Sequence, residues 1–266
     1  MRGKTIILVA MLTFLIYCAS LVYIYSQYPG YGERFPTLMG GIQITVTNFD
    51  GSRVGMSSFA FPVYFSEREQ TIPGFIAAGH AIRINEGRDY VFQPTRSVDN
   101  YIGRGIRSTW PPTGNEITID LDAGLVRNGE WLCFLFWCWF IQSRDFKPFI
   151  YENGRHYFNG DDTNNQVGIR TYIQPRLGDI VHKSGMSTGV TYGQIVRIGE
   201  EPICAERADN RCVRIVYLNP AIRISRCPNN QCFYNDPIVT EGDSGGPVYF
   251  RRLSFFNRSV HIYPPF

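Results

Sequence analysis

From Gly40 onward the chain is written in short runs of β-branched and aromatic residues, each cut off by turn residues: GIQITVTNF, SSFAFPVYF, GFIAAG, YVFQP, EITIDLDAGLVR, GQIVRIG, VRIVYL and GGPVYF. Apolar Ile42, Ile44 and Val46 alternate with polar Gln43, Thr45 and Thr47, the period of a strand with one buried face. No long stretch of this part repeats at the helical period, so the expected class is all-β. Many short strands at fairly even spacing imply a sandwich or closed barrels, and about 225 residues is comfortable for two barrels. A chain of 266 residues, 44% hydrophobic, can bury one large core or two small ones without staples. The formal net charge is +3 and the Lys and Arg residues are scattered, with no basic stretch interleaved with aromatics, so nucleic acid is set aside as a partner.

The amino end is of another kind. Thr5 to Tyr25 is 21 residues without a charge, which as a helix reaches about 31 Å, enough to cross a bilayer core. Arg2 and Lys4 precede it, so the positive-inside tendency keeps residues 1–4 in the cytoplasm and sends the chain after Ser26 outside. The apolar run is longer than the core of a cleaved signal peptide and no A-x-A site follows it, which favours a membrane anchor over secretion after cleavage. Residues 26–39, rich in Tyr, Pro and Gly, read as a linker.

Outside the apolar segment lie six cysteines, an even number suited to an oxidising compartment. Their grouping suggests Cys133 with Cys138, Cys204 with Cys212 and Cys227 with Cys232, each closing a short loop. No pair has C-x-x-C spacing and no His lies three to five residues away, so disulfides fit better than zinc, and neither metal nor cofactor is expected. The stretch Trp131 to Ile141, WLCFLFWCWFI, holds three of the four Trp and no charge, and is too short to span a membrane as a helix. Two readings are open for it: a buried hairpin or core insertion, or a hydrophobic loop dipping into the membrane that holds the anchor. Its two Cys would pin a hairpin tip.

The segment EGDSGGPVYF, Glu241 to Phe250, sets an acid, a hydroxyl and three glycines just ahead of a strand. A Ser hydroxyl is a weak nucleophile until an imidazole takes its proton, and the tetrahedral intermediate needs N–H donors around its oxyanion. Glycines beside Ser244 permit a backbone in which the N–H groups of Gly242 and Ser244 converge, with Asp243 turned inward to hold the loop. Of the four histidines, only His80 follows an apolar strand into a small-residue turn, GFIAAGHAI. A third group must accept from the far imidazole N–H, and EITIDLDAGLVR offers Asp120 and Asp122, two apart and expected on one face of a strand.

GDSGGP, AAGH and DAGLVR, in the order His, Asp, Ser, resemble the chymotrypsin-like serine proteases, most closely the secreted bacterial branch of the streptogrisins and alpha-lytic protease. VHKSGMSTGVTYGQIV, Val181 to Val196, resembles the stretch that opens the second barrel in that branch. The resemblance covers about Gly40 to the end. It implies two antiparallel six-stranded β-barrels, the first at about 40–126 and the second at about 161–266, with a hydrophobic insertion at about 127–160. It makes Ser244 the nucleophile, His80 the general base and then acid, Asp122 the orienting carboxylate, and Gly242 with Ser244 the oxyanion hole. Asp122 is chosen over Asp120 because DAGLVR aligns with the D-x-G-I-V-R form of those enzymes.

The chain departs from that pattern in places. Ala81 follows His80 where many relatives carry a cysteine. Ile238, six residues before the nucleophile, falls near the floor of the specificity pocket, where an apolar group argues against Lys or Arg substrates. Only 19 residues follow Pro247, so the second barrel is expected to be short or rebuilt. Two functions remain: a membrane-anchored extracytoplasmic serine endopeptidase acting on protein or peptide substrates, or an inactive membrane-tethered binding protein on the same fold.

Overall fold

The structure is a computed structural model. It describes residues 11, 34–48, 50–52, 54–84, 88–110, 116–134, 137–152, 166–209, 211–226, 242–252 and 259–262. The chain divides into two units, Met1–Gly30 and Tyr31–Phe266. Of the first only Met11 is described, so the apolar segment 5–25 otherwise lies outside the described residues. Among the described residues, no helix is long and apolar enough to cross a membrane.

The second unit is built of strands. They run β1 (Thr37–Gly40), β2 (Gln43–Thr47), β3 (Val54–Ser58), β4 (Phe61–Glu67), β5 (Gln70–Ala77), β6 (Tyr90–Phe92), β7 (Tyr101–Ser108), β8 (Glu116–Ile119) and β9 (Gly124–Arg127). There follow β10 (Gly129–Phe134), β11 (Trp137–Gln142), β12 (Asp145–Tyr151), β13 (Gln166–Tyr172), β14 (Ile180–Gly185), β15 (Gly189–Ala208), β16 (Arg211–Ser225), β17 (Val248–Arg252) and β18 (Ser259–Ile262).

Seven of them form a sheet in the order β3-β2-β6-β7-β9-β5-β4, every neighbour antiparallel. Ile44, Val46, Phe75, Val91, Ile102 and Val126 point into one core with Phe59, whose ring stacks on Phe75 at 4.2 Å. The alternation in β2 put its apolar face inward as expected, but the polar face is covered too. Gln43, Thr45 and Thr47 are buried, and Thr45 Oγ1 donates to the Pro94 carbonyl at 2.6 Å. Gln43 Nε2 also donates to the Pro94 carbonyl and Thr47 Oγ1 donates to the Asn48 carbonyl at 2.8 Å, so the strand carries its polar residues without facing water.

The second sheet has nine strands, ordered β1-β12-β13-β18-β17-β14-β15-β16-β8. It departs from the expected six antiparallel strands. β1 pairs with β12, β13 with β18 and β16 with β8 in parallel, and β1 and β8, from the amino-terminal half of the chain, form its two edges. The division of the domain is correspondingly less simple than one barrel, an insertion and another barrel. Of the region expected as an insertion, β12 belongs to this sheet, and β10 and β11 alone form a separate two-stranded sheet. The apolar clusters of the nine-stranded sheet are smaller: Ile150, Val167 and Tyr249 in one, Val181 and Ile195 in another.

Truncating Phe75 removes a fully buried ring with an aromatic neighbour. Phe75→Ala is expected to lower the unfolding free energy by about 4 kcal/mol, measured by chemical denaturation, whereas Val98→Ala on an exposed turn leaves it unchanged.

Candidate active site

β5 carries its apolar run to Ala77, and the small residues Ala78 and Gly79 let the chain turn and deliver His80 beyond the strand end. His80 Nδ1 lies 2.6 Å from Asp122 Oδ2, and the His80 backbone N–H donates to Asp122 Oδ1 at 2.8 Å. Both carboxylate oxygens are thereby committed to one residue, which fixes the imidazole plane and assigns the Nδ1 proton to the carboxylate side. Asp122 is nearly buried, and His80 is about a third exposed, at 13% and 35% for their side chains.

Asp120 and Asp122 were expected on one face of a strand, and that is not their place. β8 ends at Ile119 and β9 begins at Gly124, so both lie in the link between them; Asp120 is exposed and Asp122 alone meets His80. The link is clamped to the end of β7, since the Thr109 N–H donates to the Ala123 carbonyl and the Ala123 N–H to Thr109 Oγ1, each at 2.9 Å. Ser108 Oγ donates to the Gly79 carbonyl at 2.9 Å. Trp110, buried, turns its ring edge-on to that of His80 with centroids 5.4 Å apart.

Ser244 sits in a turn ahead of β17. Gly242 has φ +92° and Gly245 φ +80°, conformations that side-chain-bearing residues rarely adopt. A Cβ on Gly245 would also lie 2.6 Å from the Ser58 carbonyl oxygen and 2.7 Å from the Ala78 nitrogen. The loop thus packs directly on the seven-stranded sheet. There the Ser58 N–H and Ser57 Oγ donate to the Ser244 carbonyl at 2.7 and 2.6 Å, and Ser58 Oγ donates to the Gly242 carbonyl at 2.9 Å.

Asp243 is turned inward and only 3% exposed. Its Oδ1 accepts from the N–H groups of Ser187 and Thr188 at 2.9 and 3.1 Å; its Oδ2 accepts from Thr188 Oγ1 at 2.7 Å and pairs with Lys183 Nζ at 2.8 Å. Burial is the leading influence on Lys183 and pushes its pKa below the ordinary lysine value, with Asp243 pulling the other way. Gly40 and Gly41 are buried at the end of β1, and Lys183 supplies the charge opposite Asp243.

His80, Asp122 and Ser244 line one cavity of about 480 Å³. Much of its remaining wall comes from Ile203, Leu218, Ile222 and Ile224, on the long ribbon formed by β15 and β16. Residues Ile215–Leu218 of that ribbon also pair with Glu116–Ile119, just ahead of Asp122, so it is fastened to the link that carries the carboxylate.

The Cys133–Cys138 and Cys204–Cys212 disulfides are present as expected. Cys227, Cys232 and Ile238 lie outside the described residues. Among the described residues, no cluster of three or more His, Cys, Asp or Glu is placed to hold a metal ion. Sequence reasoning missed Lys183, Trp110, Ser57, Ser58 and the ribbon. Lys183 stands within the VHKSGMSTGV stretch, but its partner is 60 positions away; the two serines carry no signal at all.

No family model matches the chain, and no curated protein does. Solved structures similar to it include Thermobifida fusca Protease A, at 18% identity over 84% of this chain and 80% of that one, with a TM-score of 0.46. Others are Nocardiopsis Protease, at 18% identity, 86% and 92% coverage and a TM-score of 0.47, and Cellulomonas bogoriensis chymotrypsin, at 18%, 86% and 91%, and 0.46.

Lys183→Met removes the ammonium that pairs with the buried Asp243 carboxylate. It is expected to cost about 3 kcal/mol in denaturation experiments. Only the protonated lysine pairs, its proton leaves as pH rises, and burial brings that loss to lower pH. The unfolded chain keeps that proton up to about pH 10.5, so the wild type gains stability relative to the variant as pH rises toward that value, and thermal melts should show the Lys183→Met penalty widening.

Proposed function

We propose that this chain is a serine endopeptidase that works on the outer face of a membrane, tethered by residues 5–25. The reading rests above all on the doubly held His80–Asp122 pair facing the same cavity as Ser244. With the Nδ1 proton engaged by Asp122, the His80 Nε2 lone pair is free to accept the Ser244 proton as Oγ attacks a substrate carbonyl. The N–H groups of Gly242 and Ser244 receive the oxyanion. His80 then passes its proton to the leaving amine, an acyl-enzyme remains on Ser244, and water, activated by the same imidazole, releases it. The inward anchoring of Asp243 and the serine contacts from β3 hold the loop in place before substrate arrives, which spares the reaction a reorganisation step.

The apolar wall of the cavity argues for a substrate with an apolar side chain beside the scissile bond, in keeping with the expectation from Ile238. Ile222→Asp is expected to reduce kcat/KM on peptide esters with a large apolar acyl residue by about tenfold or more, while leaving fluorophosphonate labelling of Ser244 in place.

The deciding experiment is labelling of the folded, disulfide-intact protein with a fluorophosphonate. Labelling that vanishes in Ser244→Ala and is strongly slowed in His80→Ala supports His80 as the base that takes the serine proton. Absence of labelling in the wild type would favour the binding-protein reading, and labelling of His80→Ala at the wild-type rate would remove His80 from the mechanism.

A further inference from the structure

The stretch 131–141 is a hairpin, not a core insertion. In its register Glu130 faces Ile141, Leu132 faces Trp139 and Phe134 faces Trp137. Residues opposite one another, and residues two apart, share a face. Leu132, Phe134, Trp137, Trp139 and Ile141 therefore form a single apolar face, and all five are open to solvent, from 45% exposed for Trp139 to 75% for Trp137.

The other face lies against the body of the protein. There Trp131 and Phe140 pack edge to face at 5.5 Å, the Trp131 indole N–H donates to Glu67 Oε2 at 3.0 Å, and the Arg68 guanidinium covers the Trp131 ring at 5.2 Å. Arg127 bridges Glu67 and Glu130 at the foot, and the Cys133–Cys138 disulfide ties the two strands near the tip. A lone hairpin is marginal in water. This one is held rigid with its apolar face outward.

We propose that the β10–β11 hairpin inserts this face into the outer leaflet of the membrane, as a second attachment beside the anchor. The proposal rests on the reading of residues 5–25 as a membrane span. Two observations favour lipid as the occupant. The first is chemical: apart from the two indole N–H groups and Glu130 at its foot, which is engaged by Arg127, the face offers no hydrogen-bonding side chain. A protein interface of similar size would carry several hydrogen bonds, whereas Trp at the edge of an apolar face suits the lipid interface.

The second is positional. The chain enters the domain at Arg34 and Phe35, and Arg144, two residues past β11, binds it there: its guanidinium donates to the Phe35 carbonyl at 3.0 Å and to the Asp99 carbonyl at 3.2 Å, where Arg34 donates as well. Only residues 26–33 separate this staple from the apolar segment, a reach of at most about 27 Å. A six-residue strand spans about 20 Å, so a domain tethered at the hairpin's foot keeps the hairpin within range of the bilayer.

The test uses the full chain in phosphatidylcholine vesicles, with tryptophan emission compared between plain lipid and lipid brominated on the acyl chain. Residues 5–25 contain no Trp, Trp110 is buried, and the hairpin holds the other three. Emission should fall roughly twofold or more in the brominated vesicles, and the double variant Leu132→Asp, Phe134→Asp should restore it while still floating with the vesicles. Flotation of the wild type without quenching would overturn the hairpin insertion and leave the anchor standing; failure to float would overturn both. Fluorophosphonate labelling of the same vesicles reports separately on the peptidase reading.

Discussion

Ser244 comes from one sheet and the His80–Asp122 pair from the other, so the chemistry depends on how the two are held together at the cleft. The contact that holds them is a small set of hydrogen bonds from the end of β3. The Ser58 N–H and Ser57 Oγ donate to the Ser244 carbonyl, while Ser58 Oγ donates to the Gly242 carbonyl and accepts from the Met186 N–H. The three that reach the loop act on its backbone carbonyls, leaving the Ser244 hydroxyl uncommitted to this latch. Gly245 makes the approach possible, because any side chain there would meet the Ser58 carbonyl.

A second constraint acts from below. The buried Asp243 carboxylate gathers two backbone N–H groups, the Thr188 hydroxyl and the Lys183 ammonium, and so ties the loop to β14 and to the turn after it. A buried charge of this kind contributes little to stability when paired and is costly when its partner is lost. Its value here is positional: the loop has one arrangement in which the charge is satisfied.

Around this centre the chain spends its remaining length on two hairpins of different character. The β15–β16 ribbon turns inward, lining the cavity with isoleucines and leucine and gripping the segment ahead of Asp122. The β10–β11 hairpin turns outward, with its polar contacts at the foot and along one face and its apolar residues on the other. The two hairpins therefore face different surroundings, one the cavity and the other solvent.

Much of the site was legible in the residues themselves, because its signals are local. GDSGG needs glycines where the backbone turns to positive φ, AAGH follows a strand into a turn of small residues, and the paired cysteines lie close enough in sequence to close short loops. The alternation 132, 134, 137, 139, 141 is equally readable, but which of the two hairpin faces meets solvent depends on Glu67 and Arg68, more than sixty residues earlier. The same holds for Lys183 opposite Asp243 and for β1 and β8 at the edges of the second sheet. Sequence by itself determined the strands, the turns and the kinds of reactive groups, since these follow from side-chain and backbone preferences within a few residues. Only the tertiary structure decided which groups meet, because that is set by pairings between distant strands whose register leaves no periodic trace in the chain.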